Sequence, residues 1–232
     1  MLEKPVFLSE HIQWNLKLKD TNRQKNYKKD LYMKRICVFC GSSPGAKQDY
    51  IDAAKTIGLL LAQRDITLVY GGAKIGLMGQ VAKSCLKAGG KVIGVIPKHL
   101  VDMEVCFEEV TELHIVKSMH ERKNKMSDLS DGFIALPGGI GTIEEFFEIL
   151  TWAQLGLHKK PCGMLNTCNY YDQLLNFLNH SVDQEFFANE HREMIQIDED
   201  PDQLIKKLET YNPPEISKTK QALEMTDNMS NV

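Results

Sequence analysis

One segment of the chain carries the residue types and spacing of a binding site for an anion. Residues 136–145 read LPGGIGTIEE and join an apolar run, three glycines and the opening of a predicted helix. Glycines let the backbone approach a ligand closely, and the unpaired N–H groups at a helix N-terminus attract anions. A phosphate group is therefore the ligand that this segment favours, with the carboxylates of Glu144 and Glu145 beside it.

The same segment also fits a purely structural pattern. Thr142 and Glu145 have the spacing of a capping box, in which the threonine caps the helix and the glutamate reaches back to the cap. An anion site beside a carboxylate is unusual, because the two repel each other unless the carboxylate has a chemical role. From these residues alone, Glu145 remains either a helix cap or a catalytic group.

A second segment, residues 119–123 with the sequence MHERK, opens another predicted helix with adjacent cations. Such a pair is commonly a solvated basic face. Here Arg122 and Lys123 follow a predicted strand, so they begin near the same sheet edge as the glycines. A guanidinium at that edge can bind a phosphate or a carboxylate through two hydrogen bonds, and the sequence therefore favours a functional role.

Residues 71–79, GGAKIGLMG, form a further glycine-rich turn between a predicted strand and a predicted helix. They match neither the dinucleotide-binding pattern GxGxxG nor the P-loop pattern, so neither type of site is predicted. Ligand binding and the packing of a tight turn remain alternatives for Gly71 and Gly72.

Apolar runs alternate with amphipathic helices throughout residues 35–212. This alternation predicts an α/β fold, namely a doubly wound (Rossmann-like), mostly parallel sheet with helices on both faces. Ligands of such folds bind at the carboxyl ends of the strands. The strands are predicted at 35–40, 66–70, 91–96, 112–117, 132–136, 161–166 and 193–197, the helices at 48–63, 77–88, 119–129, 171–182, 201–211 and after 142, and the site-forming turns at 41–45, 71–76, 97–104, 117–122 and 137–142.

The predicted domain occupies residues 35–212, with an N-terminal extension at 1–34 and a polar tail at 213–232. The extension mixes basic and polar residues with a few apolar ones. It is either a partly disordered arm or a segment that docks on the domain or on a partner subunit. The polar tail is predicted to be disordered.

Composition excludes several classes of function. The net charge of -3 gives no electrostatic basis for binding nucleic acid, and no apolar run is long enough to span a membrane or to form a secretory signal. The six cysteines and seven histidines show no metal-binding spacing, and Cys37 and Cys40 lie in a strand-like run typical of buried structural thiols. A cytoplasmic protein without metal or cofactor is expected.

The segments described above resemble the "lonely guy" (LOG) family of cytokinin-activating phosphoribohydrolases. Residues 137–145 match its P-G-G-x-G-T-x-x-E signature, and residues 119–123 match its M-H-x-R-K pattern, although Ser118 stands where the family often has aspartate. The resemblance covers about residues 34–212. It also includes TWAQLG at 151–156, Lys160-Pro161 and the glycines at 71–72 and 76–79.

The resemblance implies hydrolysis of the N-glycosidic bond of a nucleoside 5′-monophosphate, giving a purine base and ribose 5-phosphate. It assigns Arg122 and Glu145 as the catalytic pair and implies a homodimer with the active site near the subunit interface. A carboxylate suits this reaction, because it stabilises an oxocarbenium-like transition state and orients or deprotonates water. The predicted substrate-binding residues are Gly41, Ser42, Gly71, Gly72, Glu104, Lys123, Gly138, Gly139, Ile140, Gly141, Thr142, Ile143, Glu144 and Thr151.

The substrate is predicted to be AMP or an N6-substituted AMP of the cytokinin type, and the sequence does not choose between them. A non-catalytic nucleotide-binding module on the same fold is the alternative, since a fold does not determine a function. Relatives of this family have also been labelled lysine decarboxylases. That label is set aside, because no lysine here lies in a sequence context that singles it out as a Schiff base to pyridoxal phosphate.

Overall fold

The structure is a computed structural model, and it describes residues 33–103 and 105–215. Most of the predicted N-terminal extension, most of the polar tail and Glu104 therefore lie outside the described residues. The proposed domain limits at 35 and 212 remain predictions.

Seven parallel strands form one sheet in the order β4-β3-β2-β1-β5-β6-β7. This arrangement confirms the predicted α/β class and the parallel sheet. The strands are β1 Arg35–Phe39, β2 Thr67–Tyr70, β3 Val92–Pro97, β4 Glu112–Val116, β5 Gly132–Ala135, β6 Cys162–Leu165 and β7 Ile195–Asp198.

The predicted helices lie close to their predicted limits, but two further short helices are present and one helix begins earlier than predicted. Short helices occupy 98–101, within a stretch predicted to be irregular, and 189–192, where none was predicted. The helix after β5 begins at Ile140, before the threonine proposed as its cap. The helices are α1 Gln48–Gln63, α2 Gly76–Lys87, α3 Lys98–Val101, α4 Met119–Leu129, α5 Ile140–Gln154, α6 Asp172–Asp183, α7 Asn189–Arg192 and α8 Pro201–Glu209, with a 3₁₀ turn at Thr167–Asn169.

Alternate residues of each buried strand contact opposite helical layers, as the two-residue period of a strand requires. Ile36 and Val38 belong to the core that packs against α1, α2 and α8, whereas Phe39 belongs to the core that packs against α4, α5 and α6. Cys37 and Cys40 are buried free thiols whose pKa is raised by burial, so the prediction of structural thiols is confirmed.

The strand order reverses between β1 and β5, which are paired from Ile36↔Gly132 to Phe39↔Ala135. The turns that follow these two strands meet there, since the Gly41 N–H donates to the Pro137 carbonyl at 3.2 Å. Such a reversal opens a crevice at the carboxyl ends of the strands. The glycine-rich segments thus reach the edge where the sequence placed them.

Within the described residues, no helix is both long and apolar enough to cross a membrane.

Candidate active site

Arg122 is the most constrained charged side chain of this edge, with 7% of its surface exposed. Its Nε donates to the Val95 carbonyl at 3.1 Å, its Nη2 to the Gly71 carbonyl at 3.4 Å and its Nη1 to Glu145 Oε1 at 2.6 Å. Three elements, β3, the turn after β2 and helix α5, therefore fix one guanidinium. A Cβ on Gly71 would collide with Arg122 Nη2, so a larger residue there would displace the guanidinium from this position.

Glu145 pairs with Arg122 in a nearly dry environment, since 13% of its side chain is exposed. Burial raises the pKa of the Glu145 carboxyl, and the Arg122 guanidinium opposes part of that rise. A carboxyl group held in this way has the environment of a general acid or base.

The capping-box interpretation of Thr142 and Glu145 is wrong. The N-cap of α5 is Gly139, which has no side chain to donate or accept, and Thr142 is buried within the first turn. Because the helix starts at Ile140, Glu145 lies in its second turn and turns toward Arg122 instead of the helix end.

Helix α4 carries side-chain caps instead, in which Ser118 and Glu121 each accept a hydrogen bond from a backbone N–H. The Ser118 hydroxyl accepts a hydrogen bond from the Glu121 N–H at 3.2 Å, and the Glu121 carboxylate accepts one from the Lys117 N–H at 2.9 Å. Ser118, the position that departs from the family pattern, therefore fixes the start of the helix that bears Arg122.

Lys123 lies between two carboxylates of α5. Its Nζ is 2.7 Å from Glu144 Oε1 and 3.0 Å from Glu148 Oε2, and 11% of the lysine side chain is exposed. The hydrogen bond to Glu144 raises the pKa of Lys123 against the effect of burial. Glu148 was missed in the sequence, although its spacing of four residues from Glu144 places both on one helix face.

The N-terminus of α5 is open to solvent. Within the described residues, no hydrogen-bond acceptor is seen for the N–H groups of residues 139–142. A Cβ added to Gly139 or Gly141 would meet no atom within 4 Å, whereas one on Gly138 would collide with the Thr142 side chain. Gly138 is thus required by packing, and Gly139 and Gly141 leave free space beside unpaired donors.

Three other predicted residues have local structural roles. Gly41 accepts a hydrogen bond from the Leu77 N–H at 3.0 Å, and Gly72, at φ +78°, accepts one from the Phe107 N–H at 2.9 Å. The Thr151 hydroxyl donates to the Phe147 carbonyl at 2.7 Å.

The predicted substrate-binding residues do not all lie together in the structure. Ser42 is exposed in the turn after β1, and Thr151 continues the face of α5 that bears Glu144 and Glu148. The position of Glu104 is not described. The structure brings together Arg122, Lys123, Gly138, Gly139, Ile140, Gly141, Thr142, Ile143, Glu144 and Glu145 at one end of α4 and α5.

Comparison with known proteins relates the chain to a family and to several enzymes. Residues 78–208 match the family described as "Possible lysine decarboxylase". A probable cytokinin riboside 5′-monophosphate phosphoribohydrolase of Oryza sativa subsp. japonica, LOGL6, is 50% identical over 180 residues, which cover 78% of this chain and 72% of the relative. The enzyme LOG1 of Arabidopsis thaliana is 51% identical over 180 residues, or 78% of this chain and 84% of the relative.

Solved structures share the fold. The molybdenum cofactor binding protein of Rippkaea orientalis is 26% identical, with a TM-score of 0.57 over 74% of this chain and 93% of its own. The molybdenum cofactor carrier protein of Chlamydomonas reinhardtii is 22% identical, with a TM-score of 0.56 over 75% of this chain and 98% of its own, and this likeness concerns the fold alone.

The family description and the names of the relatives imply different chemistry. A Schiff-base lysine is activated by a lowered pKa, whereas the pKa of Lys123 is raised by its carboxylate partners. The identity to the plant enzymes extends over most of both chains. On this similarity, the chain belongs to the "lonely guy" (LOG) family of cytokinin riboside 5′-monophosphate phosphoribohydrolases.

Proposed function

We propose that the protein hydrolyses the N-glycosidic bond of a purine nucleoside 5′-monophosphate to a free base and ribose 5-phosphate. The substrate is AMP or an N6-substituted AMP of the cytokinin type. The observation that carries this proposal is the buried Arg122–Glu145 pair, whose Nη1 and Oε1 atoms are 2.6 Å apart. The pair lies near the N-terminal end of α5, where the backbone N–H groups are unpaired within the part of the chain that the structure describes.

The 5′-phosphate binds at the start of α5 in this proposal. The N–H groups of residues 139–142 and the positive end of the helix dipole attract it, and the missing side chains of Gly139 and Gly141 leave it room. Glu145 lies about one and a half turns further along the helix from Gly139. Anchoring the phosphate thus holds the ribose near the carboxylate, which lowers the entropy cost of the reaction.

Glu145 is the catalytic carboxylate. As the bond between ribose C1′ and the base nitrogen breaks, its electron pair leaves with the base and positive charge develops on the ribose. The Glu145 carboxylate stabilises that charge and accepts a proton from the water that attacks C1′. The base takes up a proton, and the water oxygen remains on ribose 5-phosphate.

Arg122 keeps this carboxylate in place and ionised. Its three hydrogen bonds to Val95, Gly71 and Glu145 fix the guanidinium, whose charge favours the ionised form of the acid. Lys123 holds Glu144 and Glu148 on the neighbouring face of α5, so the two helices approach each other through a second ionic contact.

Incubation of the purified full-length protein with AMP and with N6-prenylated AMP tests the proposal, with base release followed by chromatography. We expect stoichiometric base and ribose 5-phosphate from at least one of them. Adenosine is the matched control, because it lacks the phosphate that α5 binds, and GMP and CMP report base selectivity. Binding of both AMP substrates without base release would instead support the non-catalytic nucleotide-binding module.

A homodimer with the active site near the subunit interface is also part of the proposal, as the family resemblance implies. It is supported by two exposed apolar side chains in the first turns of α4 and α5, Met119 at 41% and Ile140 at 83% exposure. The cytoplasmic location stays a prediction from the sequence.

A further inference from the structure

Three successive carbonyl groups of the turn before α5 are each held by a donor from elsewhere in the chain. The Leu136 carbonyl accepts from the Tyr171 hydroxyl at 2.6 Å, the Pro137 carbonyl from the Gly41 N–H at 3.2 Å and the Gly138 carbonyl from the Tyr170 hydroxyl at 2.6 Å. Two of these donors are consecutive tyrosines that follow β6, more than thirty residues along the chain.

The contacts to the Pro137 and Gly138 carbonyls determine where the next N–H groups point, whereas Leu136 is followed by a proline, which has no N–H. In a trans peptide the C=O and the next N–H are antiparallel, and the described residues contain no cis peptide bond. Because Tyr170 fixes the Gly138 carbonyl, it also fixes the Gly139 N–H, which is directed away from the tyrosine. That N–H is the first of the unpaired donors at the start of α5.

The segment that presents the tyrosines is itself held in an unusual conformation. Cys168 and Asn169 have φ values of 54° and 59°, in the left-handed region that costs free energy for residues other than glycine. Asn166, buried at 6% exposure, maintains the turn. Its Oδ1 accepts from the Tyr171 N–H at 2.7 Å, and its Nδ2 donates to Asp172 at 2.8 Å.

The two tyrosines differ in surroundings. Tyr171 is buried, and burial raises the pKa of its hydroxyl, so the group stays protonated as a donor. Tyr170 is 40% exposed and packs edge-on against Tyr171 and against Tyr50 of α1, with ring centroids 5.0 and 5.7 Å away. Tyr170 is therefore the position where a hydroxyl can be removed with the least effect on the core.

We propose that Tyr170 is a positioning residue of the active site, which orients the peptide unit between Gly138 and Gly139 so that the N–H groups at the start of α5 receive the 5′-phosphate. Tyr171 supports it by holding the Leu136 carbonyl at the beginning of the same turn. This role rests on the proposed function, because it assigns the anion at α5 to the phosphate of the substrate. The tyrosines act through the backbone, and neither takes part in the bond-breaking step.

Tyr170→Phe tests the proposal, because it removes the hydroxyl and keeps the ring. We expect KM for the nucleoside 5′-monophosphate and Kd for ribose 5-phosphate each to rise about tenfold, the effect of one net hydrogen bond. We expect kcat to stay within about twofold, because Glu145 and Arg122 are unchanged. Kd is measured by calorimetric titration, and the thermal midpoint of both proteins is recorded.

Tyr50→Phe is the matched control. Its ring packs against the same tyrosine, but its hydroxyl forms no hydrogen bond with any residue between 33 and 215 that the structure describes. We expect its KM and its Kd for ribose 5-phosphate to equal those of the wild type. An equal rise in both variants would mean that the effect does not come from the hydrogen bond between Tyr170 and the Gly138 carbonyl, which would overturn the proposal.

The outcomes separate this proposal from the proposed function. If the wild type releases base and Tyr170→Phe has unchanged KM and Kd, the positioning role is overturned and the enzymatic function stands. If the wild type releases no base, the enzymatic function fails. The ribose 5-phosphate titration then tests whether Tyr170 positions the turn before α5. Weaker binding by the variant then supports the positioning role, whereas equal binding, or no binding by the wild type, overturns it.

Discussion

At the scale of single residues, the proposed site depends on an acid on which burial and a neighbouring cation act in opposite directions. Burial disfavours the ionised form of Glu145 and Arg122 favours it, so the net rise in the pKa of the carboxyl is what remains of two opposing effects. Neither partner can be removed without leaving the other in a poorly solvated place. Catalysis and stability are therefore coupled at this pair.

Glu145→Gln separates the charge of this residue from its shape. The amide can still accept a hydrogen bond from Arg122, but it cannot accept a proton or stabilise a cationic ribose. We expect base release to fall at least about 100-fold, as for the loss of a general base, with little change in affinity for ribose 5-phosphate. We also expect a loss of about 1–3 kcal/mol in the free energy of unfolding, because the Arg122 charge stays buried.

This stability effect differs from what a capping box would give, since glutamine completes that motif as well as glutamate does. Glu148→Gln is the matched control, because it is the same change on the same helix at a residue outside the predicted substrate-binding set, and Glu144 still contacts Lys123 in the variant. Its kcat should stay close to that of the wild type. If Glu145→Gln retains activity within about tenfold of the wild type, Glu145 is not the catalytic carboxylate.

Individual residues also show what the sequence could predict. The adjacent cations and the two glutamates could be found from their types and spacing, and the structure joins them as pairs. The Val95 and Gly71 carbonyls that hold Arg122 could not be found, because a backbone acceptor has no signature in the side-chain sequence. The cap at Thr142 was misplaced, since Gly139 is the N-cap and the helix begins at Ile140.

At the scale of elements, the site is the junction of two helices that start at one sheet edge. Helix α4 supplies the cations and α5 supplies the carboxylates and the open N–H groups. Ion pairs between the two helices fix how their first turns approach each other. Arg122 and Glu145, which form one of these pairs, lie 23 residues apart in sequence. The proposed phosphate site depends on the missing side chains of Gly139 and Gly141, which leave space beside the open N–H groups.

Gly141→Ala tests this requirement with a substitution that the fold accepts. Its Cβ would meet no atom within 4 Å, and alanine is favoured over glycine inside a helix by up to about 1 kcal/mol. We expect unchanged or higher thermal stability together with a KM for AMP raised about tenfold or more, because the methyl group occupies space for the phosphate. Steady-state kinetics and thermal unfolding measure the two effects.

Gly138→Ala is the contrasting variant, since its methyl group would collide with Thr142 and lower stability first. In Gly141→Ala, unchanged or higher thermal stability together with a raised KM for AMP is the diagnostic result. An unchanged KM in a stable Gly141→Ala protein would exclude the first turn of α5 as the phosphate site.

At the scale of the whole molecule, the topology explains why distant segments meet. Because the strand order reverses between β1 and β5, the turns after these two strands face each other across one crevice. The alternation of strands and helices predicted the class of fold and the edge that carries the site. It could not predict the strand order or the support from residues 170–171, which depend on contacts between segments far apart in sequence.

Assembly is the last prediction, and it concerns the exposed apolar side chains of Met119 and Ile140 beside the site. Exposed apolar patches are typical of interaction surfaces, and the prediction assigns these two side chains to one. We expect light scattering of the full-length protein to give about twice the chain mass of 26.4 kDa. We also expect the rate per chain to fall when dilution dissociates this proposed dimer, because the proposal places the active site near the subunit interface. A rate per chain that stays constant while the measured mass falls to that of one chain would show that each subunit holds a complete site.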